Sequence, residues 1–336
     1  MTPMSDMSSR DLFETLRARA ALLAELRAFF QARGFLEVET PLLSPDVVVD
    51  AHLEPFSTVW RSDPLASVGE ELFLQTSPEF SHKRLLAAGC GSIFEVFRAF
   101  RNGESGQRHN PEFTLIEWYR PGDDHHAQMT FTESLVRHLY HATPRHLADV
   151  PFERLTYDDA FARYVGTRVL ALDVPALARL ARKYQLSIPS GLGTKPGDRD
   201  EWLNLLLAEL VEPHLGIERP TFLCDYPASQ AALAIIRDDI PPVAERFELY
   251  IQGVELCNGY HELRDAEELR RRNREQNQKR IALGLRELPS ESRLLRAMES
   301  GLPACAGVAL GFDRLLMTLL GKDSIGAVRA FLTEHR

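Results

Sequence analysis

The chain has 336 residues, 44% of them apolar and 26% charged, enough for one large domain with a real core and too ordinary in composition for wholesale disorder. Its net charge of −9 argues against a broad nucleic-acid-binding surface, although a local basic patch stays compatible with that charge. Cys90, Cys224, Cys257 and Cys305 form no CxxC pair, which argues for free thiols over a zinc site or a disulfide framework. No apolar run approaches the ~18 residues of a spanning helix, and the opening residues, with Asp6 and Arg10, carry no secretory signal, so a cytoplasmic protein away from membranes is expected.

Ser8 and Ser9 offer a helix start, and Leu12, Leu16, Leu23, Leu26 and Phe30 recur at helical spacing up to a terminating Gly34. Residues 35–41 alternate and predict a strand that ends at Pro41, as do 71–75 and 93–100, with a helix over 81–88 between the last two. The Pro- and Gly-rich stretch 189–197 reads as an exposed loop before a helix carrying Trp202, Leu205, Leu206 and Leu210. A strand is predicted over 221–226, a hairpin over 247–258 turning at Gln252-Gly253, a polar Arg-rich helix over 265–283 and an apolar helix over 308–320. Strand runs interleaved with helices, without the rhythm of a parallel sheet, predict an α+β fold.

Chemistry concentrates between Phe97 and Tyr119, where Arg98, Arg101, Asn102, His109, Asn110, Glu112, Phe113 and Glu117 stand close together. A guanidinium there suits a phosphate oxygen and Phe113 suits a flat base, while each residue alone is equally a surface charge or a core aromatic. A second concentration lies at Gly307 to Arg314, where Gly307 and Gly311 permit close backbone approach and Arg314 opens a helix. That segment lacks the GK[ST] ending of a Walker loop.

The hairpin supports its own argument. A two-residue turn pairs Tyr250 with Glu255 and Glu248 with Cys257, which puts Glu248 and Glu255 on one face as diagonal neighbours. Two carboxylates that close repel unless a cation lies between them, and an oxygen-only pair suits Mg²⁺. A solvated face carrying ordinary glutamates is the alternative. Glu262 falls on the opposite parity unless a bulge at Asn258-Gly259 turns it back.

Taken in order, the segments 34–41, 97–119 and 307–314 resemble the three signature motifs of class II aminoacyl-tRNA synthetases. His109 to Thr114 and Asn258 to Leu263 are most similar to the lysyl enzymes, and the likeness runs from about Leu12 to Ile325. Lysyl-tRNA synthetases carry an N-terminal OB-fold that grips the anticodon, and too few residues precede Gly34 to build one. The chain therefore resembles the stand-alone paralogues, the elongation factor P–lysine ligases, as the run Thr76-Ser77-Pro78-Glu79-Phe80 and Ala309 in place of a glycine also indicate.

The resemblance implies one catalytic domain over the whole chain, a six- or seven-stranded antiparallel sheet flanked by helices, and a homodimer built around motif 1. It implies ATP and Mg²⁺, with (R)-β-lysine or lysine activated as an adenylate and passed to a lysine amine of elongation factor P. Carried over residue by residue, Arg101 and Arg314 would be catalytic, with Arg101 on the α-phosphate and Arg314 stacking the adenine against Phe113. Asn102, His109, Asn110, Glu255, Leu256 and Gly311 would also contact ATP, and Glu248 and Glu255 would hold Mg²⁺. Ser77, Pro78 and Glu79 would take the amino-acid end, Tyr119 and Glu262 the distal ammonium, and Ala309 would shape the pocket. No general base is implied. The chain departs from the family at Gly103, where motif 2 ordinarily carries a glutamate, and Glu104 stands next in line to replace it. Transfer to tRNA and a non-catalytic regulator are the rival readings.

Overall fold

The computed structural model describes residues 9–333, so the helix start expected at Ser8 lies outside the described residues. Helix α1 (Ser9–Gln31) buries Leu22, Leu26, Phe29 and Phe30 along one stripe and gives way at Gly34, whose φ of +77° favours a residue without a Cβ. The chain continues through β1 (Leu36–Glu37), β2 (Leu43–Ser44), β3 (Ser57–Trp60), β4 (Glu70–Leu74), α2 (Glu79–Ala87), β5 (Ile93–Phe100), β6 (Glu112–Pro121) and α3 (His125–His141). Next come β7 (Glu153–Thr156), α4 (Tyr157–Val165), α5 (Val174–Lys183), α6 (Arg199–Leu210), β8 (Thr221–Pro227), β9 (Ile236–Arg237), β10 (Val243–Ile251) and β11 (Val254–His261). It closes with α7 (Ala266–Ala282), α8 (Arg293–Gly301), β12 (Cys305–Gly311) and α9 (Phe312–Leu320). Two compact units result, one of Met1–His146 with Glu262–Arg336, the other of Leu147–His261.

In the first unit the strands run in the order β1-β5-β6-β12, antiparallel except for the parallel pair β1/β5, and β2, β4 and β3 form a separate small sheet. The register fixes the two faces. Ile93, Glu95, Phe97 and Ala99 pair with Tyr119, Glu117, Leu115 and Phe113, and Tyr119, Glu117 and Leu115 pair in turn with Gly307, Ala309 and Gly311. All of these therefore share one face. The other face carries Phe94 and Trp118, which pack with Phe30 of α1 and Phe131 of α3; Phe30 lies flat on Phe94 with ring centroids 4.4 Å apart.

The second unit orders its strands β11-β10-β8-β7, with β9 on β10 and a parallel pair β7/β8. Helices α4, α5 and α6 cover it through a core that includes Tyr157, Phe161, Trp202, Leu206, Leu223 and Tyr250. The α+β class holds, while the parallel pairs β1/β5 and β7/β8 depart from the all-antiparallel sheet expected.

Three local expectations need correction. The strand expected over 35–41 shrinks to β1: Leu36 and Val38 still donate to Ser92 and Phe94 carbonyls, but Thr40 turns its amide and hydroxyl onto the Glu95 carboxylate at 2.8 and 2.9 Å, and Pro41 has no N–H for a ladder. The helix expected over 308–320 begins only at Phe312, because the apolar run before it is the strand β12. In the hairpin, Gln252 and Gly253 both take positive φ, as a tight turn requires, and Tyr250 faces Glu255 as expected. A register shift then leaves Leu256 unpaired and sets Glu248 opposite Asn258, not Cys257, so the bulge falls at Leu256 and not at Asn258-Gly259.

Candidate functional site

The shared face of β5, β6 and β12 is a floor with little on it along β12. A Cβ placed on Gly307 would lie 2.2 Å from Cε1 of Tyr119 and 2.7 Å from Oε1 of Glu262, so only glycine lets that ring and that carboxylate settle there. Ala309 stands opposite Glu117, and Gly311 opposite Leu115.

Above this floor, apart from Glu95, which Thr40 and His82 take up, three buried carboxyls of the first unit come together. Glu117 accepts from Ser77 Oγ at 2.8 Å and from the Tyr119 hydroxyl at 2.9 Å. Glu79, in the first turn of α2 behind Pro78, and Glu262, beyond the end of β11, both meet the ammonium of Lys83, at 2.5 and 2.6 Å. Neither oxygen of Glu262 has a well-directed hydrogen bond among the described residues. Burial, then the charge of Glu79, lifts the Glu117 carboxyl to about 8, and burial likewise raises Glu262. Burial alone would lower Lys83, but Glu262 and Glu79 outweigh it and keep the ammonium protonated. Three buried carboxyls share one built-in ammonium, and burial keeps protons on Glu117 and Glu262 until further cations arrive to take their place. The structure thus brings together Ser77, Pro78, Glu79, Tyr119 and Glu262 of the expected substrate residues, and adds Lys83 and also Glu117, a member of the chemistry-dense segment with no substrate role expected of it. Parity along β6 and the i, i+4 spacing of Glu79 and Lys83 were the available signals.

Farther along the same unit, the Arg101 guanidinium lies 5.0 Å above the Phe113 ring, and its Nη1 is 3.5 Å from Glu104 Oε1. Gly103 takes φ of +83°, the bend that turns Glu104 back toward Arg101. Arg314, in the first turn of α9, donates to His109 Nε2 at 2.6 Å. Asn102 donates its backbone N–H to the Glu54 carbonyl, leaving its side chain exposed. Asn110 is differently employed: its side chain donates to the Glu112 carbonyl and exchanges hydrogen bonds with Thr333, which fixes the loop ahead of β6.

In the second unit, alternation along β10 keeps Glu248 and Tyr250 on one face. Glu248 accepts from Tyr226 and Tyr250 hydroxyls at 2.6 and 2.7 Å and from Arg246 at 2.5 Å. Glu212 is 3.2 Å from the same Tyr250 hydroxyl, and Glu255 faces Tyr250 across the hairpin. Burial, then the charge of Glu248, pushes the Tyr226 and Tyr250 phenols well above their usual range. Glu212, Glu248 and Glu255 supply carboxylate oxygens, the ligand type that a divalent cation such as Mg²⁺ takes.

The sequence matches the class II tRNA synthetases (D, K and N) over residues 2–335, which takes in both units. The chain belongs to that family. As a class II synthetase-type protein it is an ATP-dependent ligase. Among curated relatives it is 47% identical over 320 residues to the elongation factor P–(R)-β-lysine ligases of Klebsiella pneumoniae (strain 342) and of Salmonella paratyphi B, with 95% of each chain covered in both comparisons.

Proposed function

We propose that this class II synthetase relative activates (R)-β-lysine as its acyl-adenylate and transfers it to the side-chain amine of a lysine on elongation factor P. The observation that carries the reading is the buried set Glu79, Glu117 and Glu262 gathered with the ammonium of Lys83. A pocket with more carboxyls than built-in ammonium groups suits an amino acid that brings two ammonium groups. The names of the Klebsiella and Salmonella relatives point to the same substrate and acceptor.

On this reading Ser77, Glu79 and Glu117 receive the ammonium next to the reacting carboxylate, and Tyr119 and Glu262 receive the distal one, with Ala309 and Gly307 setting the depth. The carboxylate attacks the α-phosphorus of ATP, a P–O bond to pyrophosphate breaks, and a mixed anhydride with AMP forms. Arg101 stabilises charge gathering on the α-phosphate oxygens, and Phe113 and Arg314 hold the base and the phosphates. Glu104 takes the place of the usual motif 2 glutamate beside Arg101. Glu248 and Glu255 are the residues that would hold Mg²⁺, which neutralises phosphate charge when bound. In the second step a neutral lysine amine of the acceptor attacks the carbonyl, AMP leaves with the bonding pair, and an amide remains.

Exposed Leu36, Leu42 and Leu43 on and after the motif 1 segment support a homodimer. Among the described residues no helix is long and apolar enough to cross a membrane, which accords with a cytoplasmic enzyme. The net charge of −9 favours a protein acceptor over tRNA. The test is the intact mass of elongation factor P after incubation with ATP and (R)-β-lysine, beside labelled transfer to bulk tRNA. A gain of one lysyl group on the factor is expected, and label on tRNA alone would overturn the assignment.

A further inference from the structure

Lys83 is 1% exposed, projects from α2 and contacts two carboxylates that come from different parts of the chain, Glu79 one turn earlier on the same helix and Glu262 beyond β11. Its surroundings contain further ionisable groups: His82 on its own helix, Glu117 and Tyr119 on β6, Cys305 on β12, and Arg264 just after Glu262. His82 is occupied elsewhere, with Nε2 2.8 Å from Glu95. Lys83 is therefore the ammonium that meets both carboxylates, and it is built into the protein, not supplied by a ligand.

We propose that Lys83 is a positioning and specificity-determining residue: its ammonium ties Glu79 to Glu262 and satisfies one of the three buried carboxyls, so that the pocket is completed by a substrate carrying two ammonium groups. The inference rests on the substrate reading above and extends it to a residue that touches no reacting atom. Without the internal ammonium a bound diammonium substrate leaves one carboxylate uncompensated, and that carboxylate must retain a proton. With it, the substrate's two ammonium groups meet the two remaining carboxyls, which give up their protons to receive them.

The test compares the whole enzyme with Lys83→Met and with the double variant Glu79→Gln/Lys83→Met, by ATP–pyrophosphate exchange with (R)-β-lysine across pH. Lys83→Met is expected to raise KM for (R)-β-lysine roughly tenfold, with a smaller change in kcat, because ground-state placement is lost while the phosphate-side groups stay. Its acid limb in kcat/KM is expected about one pH unit higher, since an unpaired carboxylate holds its proton more tightly. The double variant removes the surplus carboxylate along with the ammonium, so its acid limb is expected to return toward that of the wild type. A folded Lys83→Met enzyme with an unmoved acid limb overturns the proposal, as does a double variant displaced as far as the single. Should Lys83→Met fail to fold, the double variant is expected to be the more stable of the two, and equal instability overturns the proposal. A wild-type enzyme inactive with (R)-β-lysine and with lysine sinks the substrate reading itself, and this inference with it; an active wild type with indifferent variants sinks only the role of Lys83.

Discussion

Arg314 reaches His109 Nε2 at 2.6 Å, and because a guanidinium has only donors, His109 accepts the bond as a neutral imidazole. Burial, then the positive charge of Arg314, holds that imidazole below its ordinary 6.5. The KM for ATP is accordingly expected to be flat near neutrality and to rise as pH falls below the ordinary imidazole range, where protonation expels Arg314. His109→Gln keeps an acceptor oxygen and no proton site, so its ATP KM is expected to lose the acid rise. Steady-state kinetics from pH 5 to 8 decide it, and an unaltered rise in the variant counts against the assignment.

Glu117 gives a stability signature of opposite slope. Its carboxyl sits near 8 in the folded protein against an ordinary 4.5, so between those values the native state holds a proton that the unfolded chain releases. Stability of the ligand-free protein should therefore fall as pH rises through this window, by up to roughly 1.4 kcal/mol per pH unit for the proton concerned, and level off above it. Glu117→Gln should flatten the trend in thermal unfolding, and (R)-β-lysine binding at pH 7 should release protons, measurable by calorimetry in buffers of different ionisation enthalpy.

The close approach at Gly307 makes the smallest substitution informative. Gly307→Ala drives a methyl into Tyr119 and Glu262, with separations of 2.2 and 2.7 Å before any relaxation. A stability loss of about 1–3 kcal/mol is expected. The KM for the amino acid should rise at least roughly tenfold, with the ATP KM much less affected. An equal effect on both substrates would place the damage in the fold.

Asp313, beside Arg314, is buried and accepts from Arg19 at 2.5 Å, from the Thr114 amide at 2.9 Å and from Arg329 at 3.0 Å. It joins α1, β6 and the C-terminal segment at the start of α9. Asp313→Asn removes the buried charge that faces both guanidinium groups, leaving Arg19 on Thr114 Oγ1 and Arg329 on Glu112, and is expected to cost about 3 kcal/mol, read as a lower urea midpoint at unchanged slope.

Residues whose surroundings are local were legible in the sequence. Helix α1, strand β5 and the tight turn at Gln252-Gly253 follow from spacing and turn chemistry that act over a few residues. Strand β12 was misread as helix because an apolar run buried on both sides has no periodicity to report. The bulge at Leu256 was misplaced because register shifts depend on what the partner strand buries, and Glu248 consequently lies one position away from the pairing expected. The substrate-side placement of Glu117 and Lys83 has no local signature. Each is an unremarkable charged residue until the fold brings Glu262 across to Lys83, a contact between positions far apart in the chain that no short pattern encodes.

Gly103 carries a lesson about how such a loop tolerates change. With φ at +83°, the backbone reverses there and Glu104 comes round to within 3.5 Å of Arg101. Negative charge is delivered to the guanidinium by way of a corner, one step later along the chain than a straight reading of the motif allots it. What natural drift can vary at this spot is thus the address of the carboxylate, as long as a bend compensates for the offset; a side chain bulky enough to straighten the corner would carry Glu104 away from its partner even though every charged letter remained in place.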